Sequence, residues 1–89
     1  MSMGSILSQY IHEHHKSRRA FCSEIGFRES TVSNWCNDRA SIPLPKIAIM
    51  AEYFFEFTGE PPNLFIFRLV MQEPTVRDVL ASFRNSQLR

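Results

Sequence analysis

Apolar side chains fall at helical spacing along most of this chain. Ile6, Leu7, Tyr10 and Ile11 stand at i, i+1, i+4 and i+5, one face of a helix from about Ile6 to His14. Ser17 can N-cap a second helix, its hydroxyl accepting from an otherwise unpaired first-turn amide. Ala20, Phe21 and Ile25 make the inner face of that helix, and Gly26, free to take a positive φ, stops it. A third helix is expected from about Glu29 to Asn37, with Val32, Trp35 and Cys36 inward at i, i+3 and i+4. Its other side carries Ser30, Ser33, Asn34 and Asn37. A solvated helix face is usually charged. A face of Ser and Asn fits better with one that touches something. The fourth helix opens near Pro43–Lys46, where proline is tolerated. Leu44, Ile47, Ala48, Ala51 and Phe54 or Phe55 form its stripe. Thr58–Asn63, with one glycine and two prolines, is a loop. Residues 64–71 hold Phe65, Ile66, Phe67, Leu69 and Val70 and read as a buried helix, with a strand as the alternative. Pro74 opens a last helix with Val76, Val79, Leu80 and Phe83 at i, i+3, i+4 and i+7, and the tail 85–89 is expected to fray.

Composition narrows this all-helical reading. A chain of 89 residues has room for one small domain. Such a domain buries only roughly 60–65% of its unfolded surface, so contact with a second copy would help it. Hydrophobic content of 44% is that of a globular chain, not a disordered one. No apolar run approaches the ~20 residues that span a bilayer. Met1–Ser5 has no basic segment followed by an apolar stretch, so it does not read as a signal peptide; its Ser and Gly read as an addition outside the fold. Two cysteines make no disulfide framework, which favours a reducing cytoplasm. A multidomain enzyme or a transporter is excluded. The net charge of +1 decides nothing by itself. Its distribution matters more: Lys16, Arg18 and Arg19 cluster, with Arg28 and Arg39 downstream. A nucleic-acid binder built on this chain would rely on local positive charge.

Arg18 to Asn37 form a unit of twenty residues. Its fifth position is the small Cys22, its ninth Gly26, its fifteenth and eighteenth the apolar Val32 and Trp35. Two short helices crossing steeply need a small side chain where they approach. The turn between them needs a residue free to take positive φ. The second helix needs two apolar anchors. This is the pattern of a helix-turn-helix. The sequence here resembles the Cro/CI-type (XRE) helix-turn-helix regulators of phages and bacteria, over about Ile6 to Phe55. Ser30-Thr31-Val32-Ser33-Asn34-Trp35, Met50-Ala51-Glu52-Tyr53-Phe54 and the run from Ser17 to Gly26 carry the resemblance.

The resemblance implies a lambda-repressor-like bundle of about five helices, its third helix in the DNA major groove, with a C-terminal extension helix. The base-facing candidates are then Arg28, Glu29, Ser30, Ser33 and Asn34. Asn34 is the foremost, because a carboxamide can bond adenine N6 and N7 together, worth ~1–3 kcal/mol of discrimination. Lys16, Ser17, Arg18, Arg19, Asn37 and Arg39 are the phosphate candidates. Such contacts position a protein without reading sequence. The chain departs from the family at Arg28, where a small capping residue is usual, at Glu29, where a basic or amide residue is common, and at Cys22, where Ala is usual. The core is expected over about 6–58 and a dimerising extension over about 62–86, with Phe65, Phe67, Val70 and Phe83 in the seam. One recognition helix reads few base pairs, so such proteins pair across an inverted repeat with half-sites about 34 Å apart.

The other conspicuous residues fit plainer roles. Trp35 reads as core. His12, His14 and His15 lack the neighbouring ligands that would complete a metal set, and no cofactor is expected. Cys22 and Cys36 read as buried small hydrophobes rather than a redox pair. The expected function is that of a dimeric transcriptional repressor binding double-stranded DNA. The alternative is a protein-interaction module on the same fold: an antitoxin, an antirepressor or a polymerase-modifying factor. No nucleophile–base–orienter set or phosphate loop suggests an enzyme.

Overall fold

The computed structural model describes residues 2–14 and 17–87, which form six α-helices and no strand. These are α1 (Met3–His14), α2 (Arg18–Ile25), α3 (Glu29–Cys36), α4 (Leu44–Thr58), α5 (Pro62–Val70) and α6 (Pro74–Gln87). Local signals account for most of the boundaries. Ser17 is extended and its hydroxyl accepts from the Ala20 N–H at 3.1 Å, the expected N-cap of α2. Gly26 ends α2 at φ 85°, and its N–H and that of Phe27 both return to the Cys22 carbonyl. Gly59 ends α4 in the same left-handed region, at φ 72°. Prolines open α4, α5 and α6, where a missing N–H costs nothing. Ser17→Ala is expected to lower stability by about 1 kcal/mol, and Ser17→Asp, an equally good cap, to leave it unchanged. Thermal unfolding of the two variants distinguishes a capping role from mere surface polarity.

The core gathers α1, α2, α3, α4 and α5. Leu7, Phe21, Val32, Ile47, Met50, Phe54, Phe65 and Leu69 are its most deeply buried side chains. Phe54 of α4 sits at its aromatic centre. Its ring stacks parallel on Phe21 at 5.4 Å and meets Tyr10 and Phe65 at 5.3 Å each. Tyr10 in turn meets Phe65 edge-on at 4.8 Å. Such pairs contribute beyond the area they bury. No charged side chain among the described residues is buried.

Several expectations change in detail. α1 starts at Met3, ahead of Ile6, and Gly4 is buried at its N-terminus rather than standing outside the fold. The Gly4 N–H donates to Asp38 Oδ1 at 3.0 Å, and the chain just before Asp38 is so close that a Cβ on Gly4 would fall 2.4 Å from the Trp35 carbonyl oxygen. In α2 the buried pair is Phe21 and Cys22, while Ala20 is exposed and Ile25 half-buried. In α4 the buried stripe is Ile47, Met50, Ala51 and Phe54; Leu44, Ala48 and Phe55 face out. Residues 62–70 are helix, not strand.

The boundary between core and extension also moves. α5 packs into the core through Phe65 and Leu69, so only α6 extends from it. Phe65, 2% exposed, therefore leaves the expected dimer seam, whereas Phe67 and Phe83 stay exposed and Val70 is half-buried. The backbone stays helical through Gln87 instead of fraying from Asn85; residues 88–89 lie outside the described range. No helix among the described residues is long and apolar enough to cross a membrane.

Candidate nucleic-acid interface

The unit of α2, the turn 26–28 and α3 is held from beneath by its apolar residues. Cys22, Val32, Trp35 and Cys36 are all buried. Cys22, the small residue expected where α2 approaches α3, is buried on α2. Phe27, in the turn, lies edge-on to Trp35 at 5.8 Å. Burial pushes both thiols, Cys22 and Cys36, above the ordinary range, and the two are free. Protonated and buried, they are poor nucleophiles. Trp35 is core and has no face open for stacking on a base.

The outer side of α3 is polar. Glu29, Ser30 and Asn34 are exposed on it. Asn34 makes no side-chain hydrogen bond among the described residues, so its carboxamide keeps both donor and acceptor available. Ser33 is engaged: its hydroxyl oxygen accepts from Arg18 Nη1 at 3.0 Å and from Asn37 Nδ2 at 3.4 Å. That ties the start of α2 to the middle of α3. It makes Ser33 a brace for Arg18 more than a direct reader, and it leaves the rest of the guanidinium fork for other acceptors. Asn37 joins the same brace, and it is the C-terminal cap residue of α3.

Arginines stand at the start of α2, at the N-cap of α3 and just past its C-terminal end. Arg19, Arg28 and Arg39 are exposed, and Arg18 is half-buried on Ser33. Arg28 occupies the N-cap position of α3 without a side-chain cap bond, so the first amides of α3 stay open. Ser17 spends an acceptor on its own helix, yet its hydroxyl proton can still be donated. Lys16 lies outside the described residues.

The structure adds Lys46, which the sequence reading passed over. Its ammonium stands 5.1 Å from the centre of the Phe27 ring, bringing α4 to the turn before α3. A lysine in the first turn of a helix opposes the helix dipole, and that misfit was the signal that could have found it.

Other acidic groups near the unit are occupied. The Tyr53 hydroxyl donates to the Glu24 carboxylate, and burial first, then Glu24, push that phenol upward. Asp38 is bonded to the start of α1. Among the described residues no cluster of His, Cys, Asp and Glu could hold a metal ion; His12 is exposed, His14 lies against the Phe57 ring, and His15 is outside the described range.

A further groove lies elsewhere. Its volume is about 880 Å³, between α1, the end of α4 and α5, and none of the residues on α2 or α3 lines it. Beside it Arg68 donates to Glu60 at 3.1 Å and to the Tyr10 hydroxyl, while Tyr10 donates to Glu60 at 3.0 Å. This links α1, the 59–61 loop and α5. Being half-exposed, the ion pair is worth only about 0–1 kcal/mol. Comparison with protein-family models, with curated proteins and with solved structures finds no match.

Proposed function

We propose that this protein is a sequence-specific DNA-binding regulator of the Cro/CI type, with a lambda-repressor-like arrangement of α1–α5, acting in the cytoplasm as a repressor that occupies its site. The observation that carries the reading is the α2–turn–α3 unit: an outward face of Ser30 and Asn34, anchored from behind by Val32 and Trp35, with four arginines at the start of α2 and about the two ends of α3. In this reading α3 enters the major groove. Asn34 reads a base edge, and Arg28, Glu29 and Ser30 stand beside it. Arg18, Arg19, Arg39, Ser17 and Lys46 hold phosphates. Arg18 does so while braced on Ser33, which lowers the entropy lost on contact. Glu29 suits a cytosine N4 donor, the base-edge partner of a carboxylate. Two copies pair across an inverted repeat through the C-terminal part, where Phe67, Val70 and Phe83 remain accessible.

The test is selection of bound duplexes from a random library at two salt concentrations. An enriched inverted repeat whose recovery falls with salt is the expected result. On that duplex Asn34→Ala is expected to weaken binding by about 10- to 100-fold and to relax preference at one position. Arg19→Ala is expected to weaken binding to all sequences alike and to lower the salt slope by about one. No enrichment from a folded sample at low salt overturns the reading.

A further inference from the structure

α6 is an arm. None of its side chains from Pro74 to Arg84 is buried, although Val76, Val79, Leu80 and Phe83 make an apolar stripe. Val79 and Phe83 are each 61% exposed. The radius of gyration is 14.4 Å, against about 12 Å for a compact chain of this length, and the molecule extends 50 Å along one axis and 29 Å and 20 Å across. The root of the arm is held in direction. The Glu73 carboxylate accepts from the Val76 N–H at 3.0 Å, and Arg77 reaches the Met71 carbonyl at 3.3 Å and the Gln72 side chain at 2.5 Å. An amphipathic helix of about 21 Å so directed buries its stripe only by meeting another surface.

The same chain carries a surface that matches it. The 880 Å³ groove between α1, α4 and α5 has apolar walls from Ile6, Phe57, Phe67 and Met71. Phe57 and Phe67 are 49% and 59% exposed. Its rim bears two carboxylates, Glu60 and Glu13. Arg68 neutralises Glu60; among the described residues Glu13 meets the Gln9 amide at 3.2 Å and His14 at 4.0 Å. On α6, Arg84 adjoins Phe83 and has no partner among the described residues. Groove and arm therefore complement one another in both apolar character and charge.

We infer that α6 of each copy seats in the α1–α4–α5 groove of a second copy, a reciprocal exchange about a two-fold axis. Because groove and arm belong to one chain, a single rotation satisfies both pairs at once and doubles the area that one seating buries. This matters in a chain so short, where a stable interface needs about 1,600 Å² in total. The inference rests on the proposed pairing of two copies and is independent of DNA.

The test is light scattering after size exclusion, without DNA, at about the 100 µM scale that reveals weak dimers. The wild type is expected to be dimeric. Phe67→Asp, in the groove, and Val79→Asp with Phe83→Asp, on the arm, are each expected to weaken dimerisation roughly 100-fold, because each buries a charge without a partner. All three positions are exposed in the single chain, so circular dichroism should report unchanged helicity. An equimolar mixture of the groove and arm variants keeps one intact seating and is expected to associate where neither variant alone does. A wild-type monomer overturns both the pairing and the seating. A Phe67→Asp protein that dimerises like the wild type, or a mixture that associates no better than its components, overturns the seating alone. DNA selection proceeds separately from all of these outcomes.

Discussion

Phe54→Ala is expected to cost roughly 3–5 kcal/mol of stability, the range for truncating a fully buried aromatic side chain. Phe54 is 1% exposed and touches the rings of Phe21, Tyr10, Phe65 and Tyr53, so three other helices, α1, α2 and α5, together with α4 itself, supply the walls of the cavity left behind. Those walls are large aromatic rings held by further packing, and they cannot collapse far into the space. A small domain has only about 5–15 kcal/mol to lose, so this one substitution removes a large share. Phe55→Ala, at the next position, is the control. Phe55 is 47% exposed, and its loss is expected to change stability by no more than about 0.5 kcal/mol. Urea unfolding followed by circular dichroism separates the two. Equal costs for both variants would contradict the register of α4.

Gly4→Ala is the second large effect, and its sign is the informative part. In an unpacked helix, replacing glycine by alanine gains up to about 1 kcal/mol. Here the added Cβ would lie 2.4 Å from the Trp35 carbonyl oxygen, 2.6 Å from that of Cys36 and 2.8 Å from Asp38 Oδ1. The first two are backbone atoms at the end of α3 and cannot rotate aside. α1 must lift from α3, which also strains the hydrogen bond from the Gly4 N–H to Asp38. Overpacking of this kind costs typically about 1–3 kcal/mol. The expected result is a lower unfolding midpoint and, in the proposed function, weaker DNA binding, since the strain acts on the helix that carries Asn34. A Gly4→Ala protein as stable as the wild type would show that the contact between α1 and α3 yields easily.

The two thiols bear on handling as well as on function. Burial holds Cys22 and Cys36 protonated, so the native protein should react slowly with thiol reagents. Reaction is expected to accelerate with the loss of tertiary structure, following the unfolding that Phe54→Ala promotes.

The candidate interface was legible in the sequence to an unequal degree. The unit from Ser17 to Cys36 could be read because its constraints are local. A hydroxyl caps the amide three residues on, and a glycine takes the left-handed turn. Val32 and Trp35 share a face by helical period alone. The polar outer face of α3 follows from the same period. What each polar residue does there could not be read in that way. Ser33 is held by Arg18, fifteen residues away in sequence, and Lys46 meets Phe27 across a helix boundary. Both contacts depend on how α2, α3 and α4 cross.

By itself, then, the amino-acid sequence determined that the chain is helical, where most helices begin and end, and which side of α3 is polar, since capping, turn chemistry and period act within a few residues. Tertiary structure alone decided the rest. α4 is apolar on several sides, so period could not choose between Phe54 and Phe55; packing against Phe21, Tyr10 and Phe65 chose Phe54. Gly4 looked dispensable until α1 met the end of α3. Phe65 and Phe67 are equally apolar and two residues apart, yet the rotation of α5 buries one in the core and leaves the other on the groove wall. The stripe of α6 is as regular as that of α1, yet Val76 and Leu80 are only half-buried and Val79 and Phe83 stay exposed, with Glu73 and Arg77 holding the root of the helix. A hydrophobic pattern specifies that a face seeks burial; the three-dimensional path of the chain determines whether it finds burial within the same molecule.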